Sequence, residues 1–277
     1  MAGQSQITST LAREKDLTIE LNFVIPKSIA QKKEDAVSLE FGKNIAVKGF
    51  RKGKAPLTKI RAHLVRDEVV HEVVSRLMPY AIADAISEHQ IKPVIPAQVH
   101  ILETDFDKDW KVKAYTCELP VVNLGNYKKE IKEALGKKPK NKEETILKTL
   151  LKEITLTIPH IITDSQLNER LNSLLLRLEK LGLTLEKYLN SLNKKPEEFY
   201  KDLQKEVIES VSLELILNQI AVDLKLVPDD KEVNKALFAM KADPSFHIHT
   251  KDDETRQKRV IEQVLLRRAA LSALAGL

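Results

Sequence analysis

One stretch of this chain breaks a pattern that otherwise runs at helical spacing. Leu17, Ile19, Leu21, Phe23 and Ile25 alternate with mostly polar neighbours and stop at Pro26, which predicts a half-buried strand. Two more strands are expected, around Gln98–Glu103 and Trp110–Leu119, joined by a polar, aspartate-rich turn. Most of the remainder reads as helix. Only 8 glycines in 277 residues leave few tight turns, which argues against an all-β fold. The expected fold class is therefore α+β: a small antiparallel sheet with long helices and a protruding tip, followed by an all-α region.

Residues 27–45 read as an amphipathic helix. Residues 57–89 carry Ile60, Leu64, Val70, Val73, Leu77, Ala81, Ile82, Ala85 and Ile86 at helical spacing, and Pro79 is expected to kink or divide that helix. From 123 to 145 the composition turns to lysine with glycine and proline, as a linker would. The domains expected are thus 1–122, a lysine-rich linker 123–145, and a helical region 146–277. In the last of these, Thr163 and Gln166 have capping-box spacing before a leucine-rich helix that Gly182 closes. Thr184 suits the cap of a short helix, and Pro196 the first position of a longer one running to about Leu226. Further helices are expected at 230–241 and from about Glu254. Leu174-Leu175-Leu176 and Leu213 to Leu217 are apolar on more than one side, which points to some exposed, binding-competent surface.

Catalytic and metal chemistry is hard to find. Gly49 to Lys54 is one residue short of a P-loop, and no Ser or Thr follows the lysine. His71-Glu72-Val73-Val74 lacks the second histidine of a zinc-protease helix, and His247-Ile248-His249 lacks a third ligand, so no metal and no cofactor are expected. The single cysteine, Cys117, has apolar strand neighbours and reads as a buried structural thiol. One cysteine also fits a reducing compartment. No signal peptide or membrane-spanning run is visible, so a cytoplasmic protein with no membrane partner is expected. Arg256, Lys258, Arg259, Arg267 and Arg268 alternate with apolar positions and read as a solvated helix face. Zinc-finger spacing, an RRM aromatic motif and a long basic base-reading helix are all missing.

The segment that carries function is Gly49-Phe50-Arg51-Lys52-Gly53-Lys54-Ala55-Pro56. Two glycines and a proline between apolar segments mark an exposed turn, and on it sit one aromatic ring and three cations. Such a tip suits an acidic partner with a small apolar socket. The octapeptide, the strand and helix before it, the proline-bearing helix after it and the hairpin ending in Glu118-Leu119-Pro120 together resemble the bacterial trigger factor family. Leu124-Gly125-Asn126-Tyr127-Lys128 and Thr155–Leu171, with Ile158-Pro159, are similar to later segments of the same family.

The resemblance implies an ATP-independent chaperone that docks at the ribosomal tunnel exit and shields unfolded or nascent polypeptides. It assigns ribosomal protein and ribosomal RNA contacts to Gly49, Phe50, Arg51, Lys52, Gly53 and Lys54, and client binding to apolar faces of the C-terminal helices. Family members usually carry an isomerase domain between these halves. This chain has only the lysine-rich segment there, so prolyl isomerase activity is not expected. A ribosome-independent holdase or homodimeric assembly factor of the same fold is the alternative, with a prolyl isomerase behind it.

Overall fold

The computed structural model describes residues 6–105, 107–241 and 251–277, and His247-Ile248-His249 lies outside them. The chain forms two compact units. The first comprises the residues up to Leu119 together with Pro159–Ile162; the second holds Pro120–Ile158 and Thr163–Leu277.

The first unit is built on a four-stranded antiparallel sheet. Its strands β1 (Thr8–Arg13), β2 (Thr18–Ile25), β3 (Gln98–Glu103) and β4 (Trp110–Cys117) lie in the order β1-β2-β4-β3. The alternation of β2 does what a period of two must: Ile19, Leu21, Phe23 and Ile25 turn to one face and are buried. Across the β2–β4 register, Phe23 pairs with Val112 and Ile25 with Trp110, which extends that apolar face. Helices α1 (Lys27–Gly42) and α3 (Arg66–Glu88) cover it with Ala30, Val37, Val70, Val73, Met78 and Ala85. Trp110 is fully buried, and its indole N–H donates to the Asp105 carbonyl at 3.0 Å. Cys117 is buried too, and that burial, with the nearby Asp16 charge, pushes its thiol up to about 11.

Three expectations change here. Strand β1, Thr-Ser-Thr-Leu-Ala-Arg, has too little apolar alternation to be read from sequence, and it forms because β2 offers a ladder partner from Thr8↔Val24 to Arg13↔Ile19. Pro79 does not divide the helix. Helix α3 continues through Pro79, whose missing N–H costs one hydrogen bond while Met78, Ala81 and Ala85 hold the helix to the core. The division falls earlier, between the short helix α2 (Leu57–Arg61) and α3, where Val65 is extended at the start of α3.

The second unit is helical: α4 (Tyr127–Gly136), α5 (Lys142–Glu153), α6 (His160–Lys180), α7 (Leu185–Ser191), α8 (Pro196–Asp223), α9 (Asp230–Lys241) and α10 (Lys251–Ala275). The first three residues of α6 are counted with the other unit. The segment expected as a linker is not one. Tyr127, Ile131 and Leu135 recur every four residues, and they pack with Ile146, Leu150, Ile216, Ile220 and Ala270 while the lysines stay in water. Tyr127 Oη donates to Asp223 at 2.7 Å, fixing α4 to α8. Leu213 to Leu217 is likewise core rather than binding surface, because α8 packs against both α5 and α10. Thr184 caps α7 by accepting from Lys187 N–H at 3.3 Å, and Pro196 opens α8, as their positions predicted.

Thr163 does not cap α6. The helix begins at His160, and the cap comes from Asp16, in the β1–β2 turn, which accepts the His160 N–H at 2.7 Å. Burial pushes the Asp16 carboxyl up, but bonds from the His160 backbone and ring and from Thr18 outweigh it and hold the group at about 2. A lowered folded-state value means stability that is present above the ordinary 3.8 and lost as pH falls toward 2. An Asp16→Asn variant is expected to be less stable by about 2 kcal/mol at neutral pH and to converge with the parent chain near pH 2. Urea titrations at stepped pH, followed by Trp110 fluorescence, check this.

Candidate functional site

The tip is the segment between α1 and α2. As α1 ends, Lys43 and Asn44 N–H groups bond back to Glu40 and Phe41 at 3.2 and 3.1 Å, tightening the last turn. Two four-residue turns then follow in succession. Phe50 N–H reaches the Val47 carbonyl at 3.0 Å, and Lys54 N–H reaches that of Arg51 at 2.9 Å. Each turn has glycine third, Gly49 at φ +89° and Gly53 at φ +75°. A type II turn needs positive φ at that position, and glycine adopts it without a Cβ penalty. The sequence signal is the repeat Val-Lys-Gly-Phe, Arg-Lys-Gly-Lys at a spacing of four.

The turns put the side chains outward. Phe50 is 43% exposed despite being fully apolar, and Gly49, Arg51, Lys52, Gly53 and Lys54 are all exposed. Among the described residues, no ion pair engages Lys48, Arg51, Lys52 or Lys54. The site is thus a ring flanked by uncompensated positive charge, on backbone that has no core of its own.

Its base, by contrast, is tightly held. Val47 and Ile60 are buried, and a Cβ on Gly42 would come within 2.6 Å of Ile60 Cδ1, so only glycine lets α1 and α2 approach this closely. Beside that contact lies a buried carboxylate, Glu34, only 4% exposed. Arg61 grips it with two nitrogens, its Nε at 2.8 Å, and also bonds Asp35, while Ser38 donates to Glu34 at 3.1 Å. The bond to Glu34, ahead of any other influence, raises the Arg61 value above its ordinary one. This clamp was invisible in the sequence, where Glu34 and Arg61 are two unremarkable charges on neighbouring helices. An exposed tip on a tightly held base is what results.

In the second unit the exposed apolar side chains sit mainly on α6 and after it. Leu175 and Leu176 are open, as their sequence predicted, and Leu181, Leu183 and Leu192 continue the series. Phe238 on α9 is 75% exposed. Such surface is larger than core packing needs and can take apolar partners.

The other sequence candidates do not assemble a reactive centre. Arg267 pairs with Glu214 across α10 and α8, rather than standing free on a solvated face. Among the described residues, the group of metal-ligating type is Glu14, Asp16 and His160, whose ligand atoms lie within 4.8 Å of one another. Asp16 is already taken as the acceptor for His160 and Thr18. No helix among the described residues is long and apolar enough to cross a membrane.

Comparison with known proteins adds to this geometry. The family model described as bacterial trigger factor protein matches residues 7–153, and the model of the trigger factor C-terminus matches residues 125–276. The two overlap over 125–153 and leave no segment between them for a third domain. Trigger factor of Bdellovibrio bacteriovorus is 29% identical over 119 residues, covering 43% of this chain and 27% of that protein. That of Levilactobacillus brevis is 33% identical over 109 residues, covering 39% and 25%. The chain thus spans about a quarter of the length of the curated relatives it matches. A solved structure concerned with promiscuous substrate recognition by the trigger factor chaperone superposes with a TM-score of 0.66. It covers 97% of this chain and 99% of the other at 12% identity, a likeness of fold.

Proposed function

This chain belongs to the bacterial trigger factor family, and on that premise we propose that it is an ATP-independent chaperone. It docks near the ribosomal tunnel exit through residues 49–54 and shields apolar segments of emerging polypeptides. The observation that carries the docking half is the exposure of Phe50 among cations that have no ion-pair partner among the described residues.

The chemistry divides among the tip residues. Phe50 leaves water for an apolar socket, which is worth roughly 1.5–3 kcal/mol if burial is complete. Arg51 offers a planar fork to a carboxylate or phosphate, and Lys52 and Lys54 add point charges. Gly49 and Gly53 let the turns adjust as the tip seats. A contact this small is reversible, and reversibility lets the protein cycle as translation proceeds. Clients are held by the open leucines of α6 and its neighbours, through many shallow contacts at about 25 cal/mol per Å² before ordering costs. Shallow contacts favour breadth over affinity. Prolyl isomerase activity forms no part of this reading, since the N-terminal and C-terminal family matches overlap.

Ribosome cosedimentation over a salt series tests the docking half. Binding is expected at low salt and to fall steeply as salt rises, because each neutralised phosphate releases counterions. Protein that stays in the supernatant at every salt concentration overturns docking and favours a ribosome-independent holdase of the same fold.

A further inference from the structure

We propose that the open edge of β1, together with the groove beside it, binds an extended polypeptide segment that joins the sheet as a fifth strand. The proposal rests on the reading of this chain as a polypeptide-binding protein, but not on its docking to the ribosome. It concerns the first unit alone and involves neither the tip nor the exposed leucines of the second unit.

Strand β1 lies at the end of the sheet, with β2 as its single partner among the described residues. The bond from Glu14 N–H to the Thr18 carbonyl, at 2.8 Å, sets the phase of the β1–β2 ladder. In an antiparallel pair, hydrogen-bonded positions alternate. With Thr10↔Asn22 and Ala12↔Glu20 in register, the even-numbered residues of β1 bond to β2. Ile7, Ser9, Leu11 and Arg13 therefore direct their main-chain N–H and C=O away from the sheet. From Gln6 to Ala12 this edge carries no charge and no proline, the devices that usually keep other strands off. An edge of this kind is a template for strand addition.

The side chains beside the edge fit the same occupant. A groove of about 960 Å³ runs between β1, α1 and α3. Ile7, Phe23, Ile29, Leu77 and Ala81 contribute its apolar lining, and Tyr80, 76% exposed, stands at its lip. A strand paired to Ser9 and Leu11 turns every second side chain toward the helices, into this lining. Lys32 and Lys33 line it from α1, and Asp84, Glu88 and Arg76 from α3, where Arg76 is neutralised by its pairs with Glu40 and Glu72. Neither lysine is in an ion pair among the described residues. The preferred ligand therefore has alternating apolar residues and an acidic side chain beside them to meet α1. Main-chain pairing accepts any such sequence, which suits a protein that holds unrelated clients.

The test uses the full chain and a labelled synthetic peptide that alternates valine with threonine and carries one glutamate, read by fluorescence anisotropy. Ser9→Pro deletes an outward N–H while leaving the even-numbered bonds to β2 in place, an arrangement edge strands tolerate. Ser9→Ala keeps the N–H and serves as the control; Trp110 emission verifies that both variants fold. Expected is binding by the parent and by Ser9→Ala, weakened roughly tenfold or more by Ser9→Pro. The same loss is expected when alternate peptide nitrogens are methylated. Equal binding by Ser9→Pro, equal binding of the methylated peptide, or no binding overturns the proposal. So does a homodimer that Ser9→Pro dissociates, since a second copy then owns the edge. Suppression of aggregation of an unfolded protein is measured alongside. If the parent suppresses aggregation while the edge fails these tests, only the strand site falls; if both fail, the chaperone reading falls with it.

Discussion

Changing Phe50, Arg51 and Lys52 together to alanine is expected to weaken ribosome binding by more than a hundredfold while leaving the fold unaltered. Losing the phenylalanine forfeits about 2 kcal/mol of burial. Two cations that meet phosphate or carboxylate add about 1 kcal/mol each, and every 1.4 kcal/mol is tenfold in affinity. The fold is spared because Phe50 is half in water and neither cation is in an ion pair among the described residues. Single variants separate the contributions. Phe50→Ala lowers affinity at every salt concentration alike. Arg51→Ala and Lys52→Ala flatten the salt dependence, by about 0.7–0.9 in log–log slope for each phosphate that is no longer neutralised. Cosedimentation, with Trp110 emission as the folding control, reads all four. A triple variant that pellets like the parent removes the tip from the docking account.

Phe23→Ala is the second large effect. Phe23 is 1% exposed at the centre of the sheet face that α1 and α3 cover. Truncating it leaves a cavity that the surrounding strands cannot close, at a cost of about 3–5 kcal/mol. That is a large part of the roughly 5–15 kcal/mol by which domains are stable. Trp110, the single tryptophan, is fully buried in the same core and reports on this unit alone. The helices α4 to α10 have separate cores, around Ile146, Ile216 and Ile220 and around Val233, Leu237 and Ile261. In a urea titration, the Trp110 transition is expected to move to lower urea while most of the helical circular dichroism keeps its midpoint. Joint movement of both signals would mean that the two units unfold as one block, against a two-domain organisation.

The second experiment depends on a division that was only partly legible in the sequence. Strand β2 announced itself because its period of two matched a face that is buried. Helices α7 and α8 did so because Thr184 and Pro196 act within one turn of where they stand. The tip was legible for the same reason, its two glycines and four-residue repeat being local turn chemistry. The lysine-rich stretch misled because its many solvated side chains outweigh Tyr127, Ile131 and Leu135 by number, although those three decide its packing. The open leucines of α6 could be suspected from composition, but not told from those of α8, which look alike in sequence and differ in what lies beside them.

Local chemistry, then, belongs to the sequence: the alternation that makes β2, the caps of short helices, and the glycines that turn Phe50 and its cations outward. The fold decided whatever depends on residues far apart in the chain. Asp16 caps a helix that starts at His160, displacing the capping box written at Thr163. Glu34 is buried and gripped by Arg61, so the tip has a firm base. Strand β1 exists because β2 pairs with it, and among the described residues no strand pairs with its other edge. A hydrogen bond between neighbours needs only the right residue at the right spacing; one that joins distant segments needs the whole chain to have brought them together first.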